Sequence, residues 1–593
     1  MSVEALQAQL HQLEAQRDAY LEIFNRTHAA VRDTLAQAGE AQGRGTRQSL
    51  ELPASPASPT LQAPFPALSV SPPPLSRKHS NIGGHRYGDS NPAFSTYDAS
   101  TLTDDSESDE DELFYVRQHL PTQSFDHEHL REHLKSYKFD WHGRQILANV
   151  VNDKGRLKNP SLFPAHGDTV EDKKNYSHYQ VFDIGTDGVP VVVTTSSDFD
   201  KNAPRAKQIW LAIKDINASL KDDDDHAVGR ITIAREPSPI LFGALHLTYN
   251  SMFDMDELFR HLVESEASSV HLYRAFDDDE RRRRSFVFNF EYYTIIGDER
   301  QPMAWQLADL NTAVSESHLP LSRCSSVVAL TLYGNPIKKI RNSARRAKKR
   351  DGSIYDPWGA WQVINIQCYP DWKAKTDVHE ASKRYVNGPE AFLFTVLGEF
   401  KDAQKRFEEI YRQISKLITP PLDFIFNEDA RNRRLFEDKD FTYTRRYFWA
   451  HQTLGTMNDA IQAMIDAYED NFTEELWDGR HKTLWPLSDS DQSGRNEYWK
   501  KRLRNLKMAF TREIASLRTL QKENNDRRAE IRFLRDQLFS GTSVMESRKS
   551  VELSEITIQQ GRNIKVLTLV NIFFLPLTFV TSVYGKSTKQ LKY

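Results

Sequence analysis

The chain has 593 residues, with 78 Lys and Arg against 82 Asp and Glu, a net charge of −4 and two cysteines. That length allows about two to four domains, the near-neutral balance gives no global field for nucleic acid, and two cysteines are too few for a disulfide framework. The opening MSVEALQAQL lacks the basic start and apolar core of a signal peptide, so the bulk of the chain is expected in the cytosol.

Residues 1–39 read as an amphipathic helix. Leu6, Leu10, Leu13, Tyr20, Phe24, Thr27 and Val31 fall on steps of three and four, a short coiled-coil seam interrupted by Arg17. Residues 40–113 are rich in Pro, Ser and Ala and close on the acidic run Asp104–Glu112, so a disordered linker is expected. Ser55, Ser58 and Ser71 each precede proline; a phosphorylated tether and a passive spacer are both open readings.

Residues 114–380 alternate strand and helix patterns and predict an α/β domain with a mixed sheet. His129-Leu130-Arg131-Glu132-His133 matches a zinc-peptidase pattern, but no third ligand is identifiable and a polar helix is the expectation. Val181–Ile184 and Val189–Thr194 flank the hairpin signal Asp187-Gly188. Ile209, Trp210, Ile213, Ile216 and Leu220 predict a helical stripe, and Ile231–Ala234 and Ile240–Leu247 predict strands around a Pro-Ser-Pro turn. Asp254 and Glu257 predict a capping box. Further strands are expected at Val270–Phe276, Phe286–Ile296, Val327–Tyr333 and Gln362–Tyr369. Of the charge runs, Asp222–Asp225 reads as a solvated loop and Arg281–Arg284 is neutralised by Asp277–Glu280. Lys338–Arg350 suits anionic lipid or an import receptor; without interleaved aromatic residues, nucleic acid is not an expected partner.

Residues 381–540 predict a helical domain. Gly388-Pro389-Glu390 opens a helix that stops at Pro420-Pro421, and a second runs from Thr442 to about Leu476. A long helix begins near Glu497, with Leu503, Leu506, Phe510, Ile514 and Leu517 on one face, polar Gln521 and Asn524 next, then Ile531, Leu534 and Leu538. Ser540-Gly541-Thr542 reads as a weak point, 541–565 as a stalk helix, and 566–585 as a transmembrane helix. Val566–Gly585 holds no charge between Lys565 and Lys586, and about 20 helical residues span roughly 30 Å, the hydrocarbon thickness of a bilayer. Wound at about 100° per residue, Ile564, Leu567, Thr568, Asn571, Leu575, Thr578, Ser582 and Gly585 share an arc about 100° wide. That arc carries every polar side chain of the span except Thr581. Polar groups at membrane depth face a partner helix or water, so the arc suits a helix seam or a pore built from several copies.

Lys565–Gly585, KVLTLVNIFFLPLTFVTSVYG, resembles the first transmembrane helix of CorA-like magnesium transporters, in their eukaryotic branch. The shared signature is Leu567-Thr568, Phe574, Pro576-Leu577-Thr578-Phe579 and Tyr584-Gly585. The resemblance implies a homopentamer in the lipid bilayer, fed by a cytoplasmic stalk and an α/β funnel. It implies Ile564, Leu567, Asn571, Leu575, Thr578, Ser582 and Gly585 as pore-lining, with Asn571, Thr578, Tyr584 and Gly585 nearest the passing metal ion. No cofactor is implied beyond the transported Mg2+ or another divalent cation.

The resemblance breaks after Gly585, where the family continues with a Met-Asn loop and a second span. Residues 586–593 instead read Lys-Ser-Thr-Lys-Gln-Leu-Lys-Tyr. Gly-Lys-Ser can be encoded by GGT-AAG-TC, which contains the splice-donor sequence GTAAGT. The expectation is an unspliced intron, the complete protein carrying the loop and second span; a genuine short form is the alternative. Gly585-Lys586-Ser587 is not a phosphate loop, since Val580 stands where the glycine is needed. Basic residues flank the span on both sides, so orientation rests on the missing export signal. No catalytic set converges, and the chain is not expected to be an enzyme. The leading reading is a divalent-cation transporter subunit conducting passively; the alternative is a membrane-anchored, non-conducting interaction or regulatory protein.

Overall fold

A computed structural model describes residues 114–587 except 159–161, 164–178, 194–204, 219–225, 265–267, 273, 297–304, 311–316, 342–350, 369–382, 421, 430, 432–435 and 488–493. The expected N-terminal helix and linker, the Asp222–Asp225 loop, most of the Lys338–Arg350 run and residues 588–593 lie outside the described residues.

In chain order the first part runs β1 (Gln123–Ser124), α1 (His127–Ser136), α2 (Trp141–Asn152), β2 (Tyr179–Ile184), β3 (Pro190–Val192), α3 (Arg205–Ile213) and β4 (Asp215–Ile216). Then come β5 (Gly229–Arg235), α4 (Pro239–Tyr249), α5 (Met255–Val263), β6 (Ser269–His271), β7 (Ser285–Ile295), β8 (Leu321–Leu332), β9 (Lys338–Arg341), β10 (Asp351–Ile354) and β11 (Trp361–Cys368). Three long helices follow: α6 (Gly388–Ile418), α7 (Thr442–Asn471) and α8 (Gly494–Ser587).

Seven strands form one sheet in the order β3-β2-β5-β11-β8-β7-β6, antiparallel except for the parallel pair β5–β11. Alternation along each strand feeds two cores. Ile231, Ile233, Phe288, Phe290, Val328 and Val363 point to the layer made by α6, α7 and the first part of α8. Val181, Ala234, Val327, Ala329, Ile364 and Ile366 point to the shorter helices α1–α5. Both faces are covered, so β5, β8 and β11 are buried almost end to end, including polar residues such as Arg230, Ser326, Asn365 and Gln367.

The sheet expectations largely hold. The hairpin β2–β3 turns through Gly188 at φ +74, a conformation open to glycine, while Thr194 lies outside the described residues. Asn387 caps α6 through Glu390 N–H, and Pro389 sits in its first turn. Gly388 is needed because a Cβ there would lie 2.7 Å from the Trp361 side chain.

Four expectations are corrected. Ile240–Leu247 is not a strand but most of α4, started by the Ser238 cap and Pro239. Nearly every α4 residue is buried, so no amphipathic period marks it. The stripe through Ile216 and Leu220 ends early: α3 stops at Ile213, Ile216 pairs with Gln123 in β1, and Leu220 is outside the described residues. The strand at Val270–Phe276 is only β6. Asp254 does cap Glu257 N–H, but the Glu257 carboxylate turns to Arg274 instead of closing the box.

A polar cluster is sealed between α6 and the sheet. Glu399 accepts from Ser326 Oγ at 2.7 Å, from Asn365 Nδ2 at 2.7 Å and from Gln367 Nε2. Full burial, then the nearby Asp402, pushes its carboxyl up to about 7. A carboxyl whose pKa rises on folding favours the native state most at low pH; that advantage is lost from about pH 4.5 through about pH 7. Glu399→Gln keeps an acceptor and adds a donor for Ser326. It should therefore raise the unfolding free energy above pH 7, by an amount on the order of 3 kcal/mol, and flatten its pH profile between pH 5 and 8. An unchanged pH profile in thermal unfolding would refute this assignment.

Candidate functional site

The long helix α8 sets the site. At about 1.5 Å per residue it extends roughly 140 Å. Its first part packs: Trp499, Leu503, Leu506, Phe510, Ile514, Leu517, Leu520 and Ile531 are buried. Phe510 stacks on Tyr468 with ring centroids 4.9 Å apart, and Arg502 Nε reaches Glu390 Oε1 at 2.7 Å, fixing α8 to the start of α6. The polar interruption sits against α7. Asn524 is fully buried and donates to Asn458 Oδ1 at 2.8 Å; Asn458 in turn donates to Asn525 Oδ1 at 2.9 Å. Such a pair rewards one register of α7 on α8.

Leu538 is the last buried residue of α8. The helix continues without a break through Ser540-Gly541-Thr542, contrary to the expected weak point. Helical hydrogen bonding carries the single glycine at a cost of about 1 kcal/mol. Thr542 Oγ1 still accepts from Glu437 N–H at 3.2 Å, and from residue 546 onward the described side chains are exposed. Leu567, Ile572, Phe573, Leu575 and Phe579 are each about two-thirds exposed. This is the one helix among the described residues that is long and apolar enough to cross a membrane, and none of its apolar window is buried.

The polar side chains of the span behave in two ways. Thr568, Thr578, Thr581 and Ser582 donate back to carbonyls of their own helix, at 2.7 to 3.0 Å. Asn571 makes no hydrogen bond among the described residues and keeps its full donor and acceptor capacity. Pro576 lies inside the helix and lacks an N–H, which leaves the Ile572 carbonyl without its usual partner.

Helix α8 is regular through Ser587, so Ile564, Leu567, Asn571, Leu575, Thr578, Ser582 and Gly585 share one face. They do not converge in one chain: Asn571 and Gly585 are about 21 Å apart along the axis, and Thr578 and Tyr584 lie between them. A cation could meet them in turn, not together.

One feature of this face went unread in the sequence. Stepping back by three and four, the same seam runs through Gly561, Thr557, Ser554, Ser550, Ser547 and Ser543. It carries no charge over 543–585, although Glu546, Arg548, Lys549, Glu552, Glu555 and Arg562 occupy other positions of 543–565. A strict seven-residue repeat of small residues was the available signal.

The histidine pattern on α1 is not a metal site. His129 packs back on its cap, Asp126, while His133 Nε2 lies 2.9 Å from His246 Nδ1 in a ring of aromatic side chains.

The α/β domain carries a helix that leaves it and turns predominantly apolar, the one candidate membrane span among the described residues. Residues 492–591 match the family described as CorA-like Mg2+ transporter protein. The matched family is one of transporters, not of enzymes. Among solved structures, the full-length CmaX protein is similar at 14% identity, covering 68% of this chain and 84% of that one with a TM-score of 0.28. The soluble domain of CorA from Methanocaldococcus jannaschii is similar at 10% identity, covering 55% and 95%, TM-score 0.27. The ZntB cytoplasmic domain from Vibrio parahaemolyticus follows at 11% identity, covering 52% and 93%, TM-score 0.21. No curated protein matches in sequence.

Proposed function

We propose that the chain is a subunit of a CorA-like divalent-cation channel, with magnesium as the conducted ion and the large N-terminal part cytoplasmic. Copies of α8 stand parallel around one pathway, as a pentamer on the family resemblance. The observation that carries this reading is the uncovered apolar span whose polar side chains, Thr581 excepted, share one face, inside the segment matched to the transporter family. Magnesium sheds its water reluctantly. Rings of Asn571 and Thr578 therefore meet the ion through its hydration shell, with Tyr584 and Gly585 at the far mouth. Rings of Leu567 and Leu575 form apolar constrictions that close by dewetting. The seam from Ser543 to Gly561 extends the wall into the stalk. Ion flow is passive, down the electrochemical gradient.

Expression in cells lacking their own magnesium uptake, read with a magnesium-sensitive fluorophore, tests this. Uptake above the vector control is expected. A correctly inserted chain that gives none would instead support a non-conducting membrane-anchored role.

A further inference from the structure

Helix α5 carries Glu257 and His261 one turn apart on its buried side. Strand β6, at the edge of the sheet, ends beside them at His271. One ligand atom from each of the three lies within 4.8 Å of the other two. Glu257 Oε1 is 3.6 Å from His261 Nε2, and the two imidazoles are stacked with centroids 5.1 Å apart. Glu257 and His261 are buried while His271 is partly exposed, which places the approach at the sheet edge.

We propose that Glu257, His261 and His271 form a transition-metal site of the zinc class, apart from the conduction segment. Two imidazoles and one carboxylate are a zinc-type donor set, and imidazole nitrogen is a poor ligand for magnesium. Tetrahedral donors at about 2.0–2.1 Å from a metal sit about 3.3 Å apart, so the cluster closes by no more than about 1.5 Å. The outer shell fits as well. Ser269 Oγ donates to Asn289 Oδ1 at 2.6 Å and lies 3.2 Å from His271 Nε2, so it accepts from that nitrogen. This fixes the tautomer and leaves the lone pair on Nδ1.

Arginine competes for the carboxylate. Arg274 donates to both oxygens of Glu257, at 2.6 Å for one of them. Arg282 Nε is 3.4 Å away, with its own charge partly met by Asp254, and Arg260 is 3.7 Å away. A metal takes one carboxylate oxygen only if Arg274 gives up one bond. Metal occupancy and the Arg274 clamp therefore oppose each other, and that opposition gives the test its sign.

Cobalt(II) titrated into the purified, metal-stripped, tag-free full chain reports the site through its visible absorption. One equivalent with the strong bands of a tetrahedral ion is expected, displaced by zinc and not by excess magnesium. His271→Gln should weaken cobalt binding by at least about tenfold. Arg274→Gln should tighten it, an effect that general damage to the fold cannot produce. No cobalt bands, equal bands in His271→Gln, or weaker binding in Arg274→Gln would each overturn the assignment. None of these readouts depends on ion conduction.

Discussion

Deleting the chain from Val566 onward is expected to move the protein from the carbonate-resistant membrane pellet to the soluble fraction, with the remainder still folded. Two observations set this outcome. The span contributes nothing to either core: its apolar window is wholly uncovered, while the buried residues of α8 end at Leu538. It also holds twelve Leu, Ile, Phe and Val residues. At about 0.3–0.6 kcal/mol each in favour of the bilayer, these supply roughly 4–7 kcal/mol of insertion free energy. Removal takes away that term and costs the α/β domain no packed contact. Circular dichroism and the unfolding midpoint of the released fragment should match those of the intact chain's soluble part. A deleted form that still resists carbonate would mean that a second element holds the membrane.

Asn571→Leu should lower magnesium conduction by at least about tenfold, whereas Ile572→Leu should leave it within about twofold. Asn571 is the polar side chain of the span that its own helix does not satisfy, and in the proposed pore each copy adds it to one ring. A hydrogen bond to a charged partner contributes about 1.5–3 kcal/mol, and an apolar ring in its place favours dewetting. Ile572 is next in sequence but about 100° around the helix, off the polar arc. Both substitutions leave a helix-compatible apolar residue in the span, so neither should impair insertion. Flux measured at matched membrane levels separates them, and equal losses would remove the case for a pore-facing arc.

Much of the architecture was legible where local signals agreed with the tertiary outcome. The start of α6 at Gly388 is written in Asn387, Pro389 and Glu390, and the buried face of α8 in a regular stripe. Helix α4 was misread because burial on all sides erases periodicity, and Ser238-Pro239 serves a turn as well as a helix start. Ile216 was lost to β4 because its partner, β1, lies far upstream and leaves no local trace. Strand β8 begins earlier than expected, and its polar Ser326 serves Glu399, a residue of a helix far downstream.

The site shows the same division. Composition and length made the candidate membrane span plain, and its winding gave the polar arc. The extension of that arc to Ser543 was hidden among charges, because apolar stripes are the habitual signal and this one is made of hydroxyls. The Glu257–His261–His271 cluster joins a helix to the edge of a sheet. Glu257 alone read as a capping residue, and only folding brings His271 beside it.

Magnesium influx into vesicles reconstituted with the purified full chain, followed with an enclosed magnesium indicator under an imposed gradient, tests the channel proposal most directly. Influx that scales with protein density, stops when the gradient is dissipated and falls in Asn571→Leu but not in Ile572→Leu is the predicted result. Inserted, oriented protein with influx no greater than in protein-free vesicles would contradict conduction by this chain.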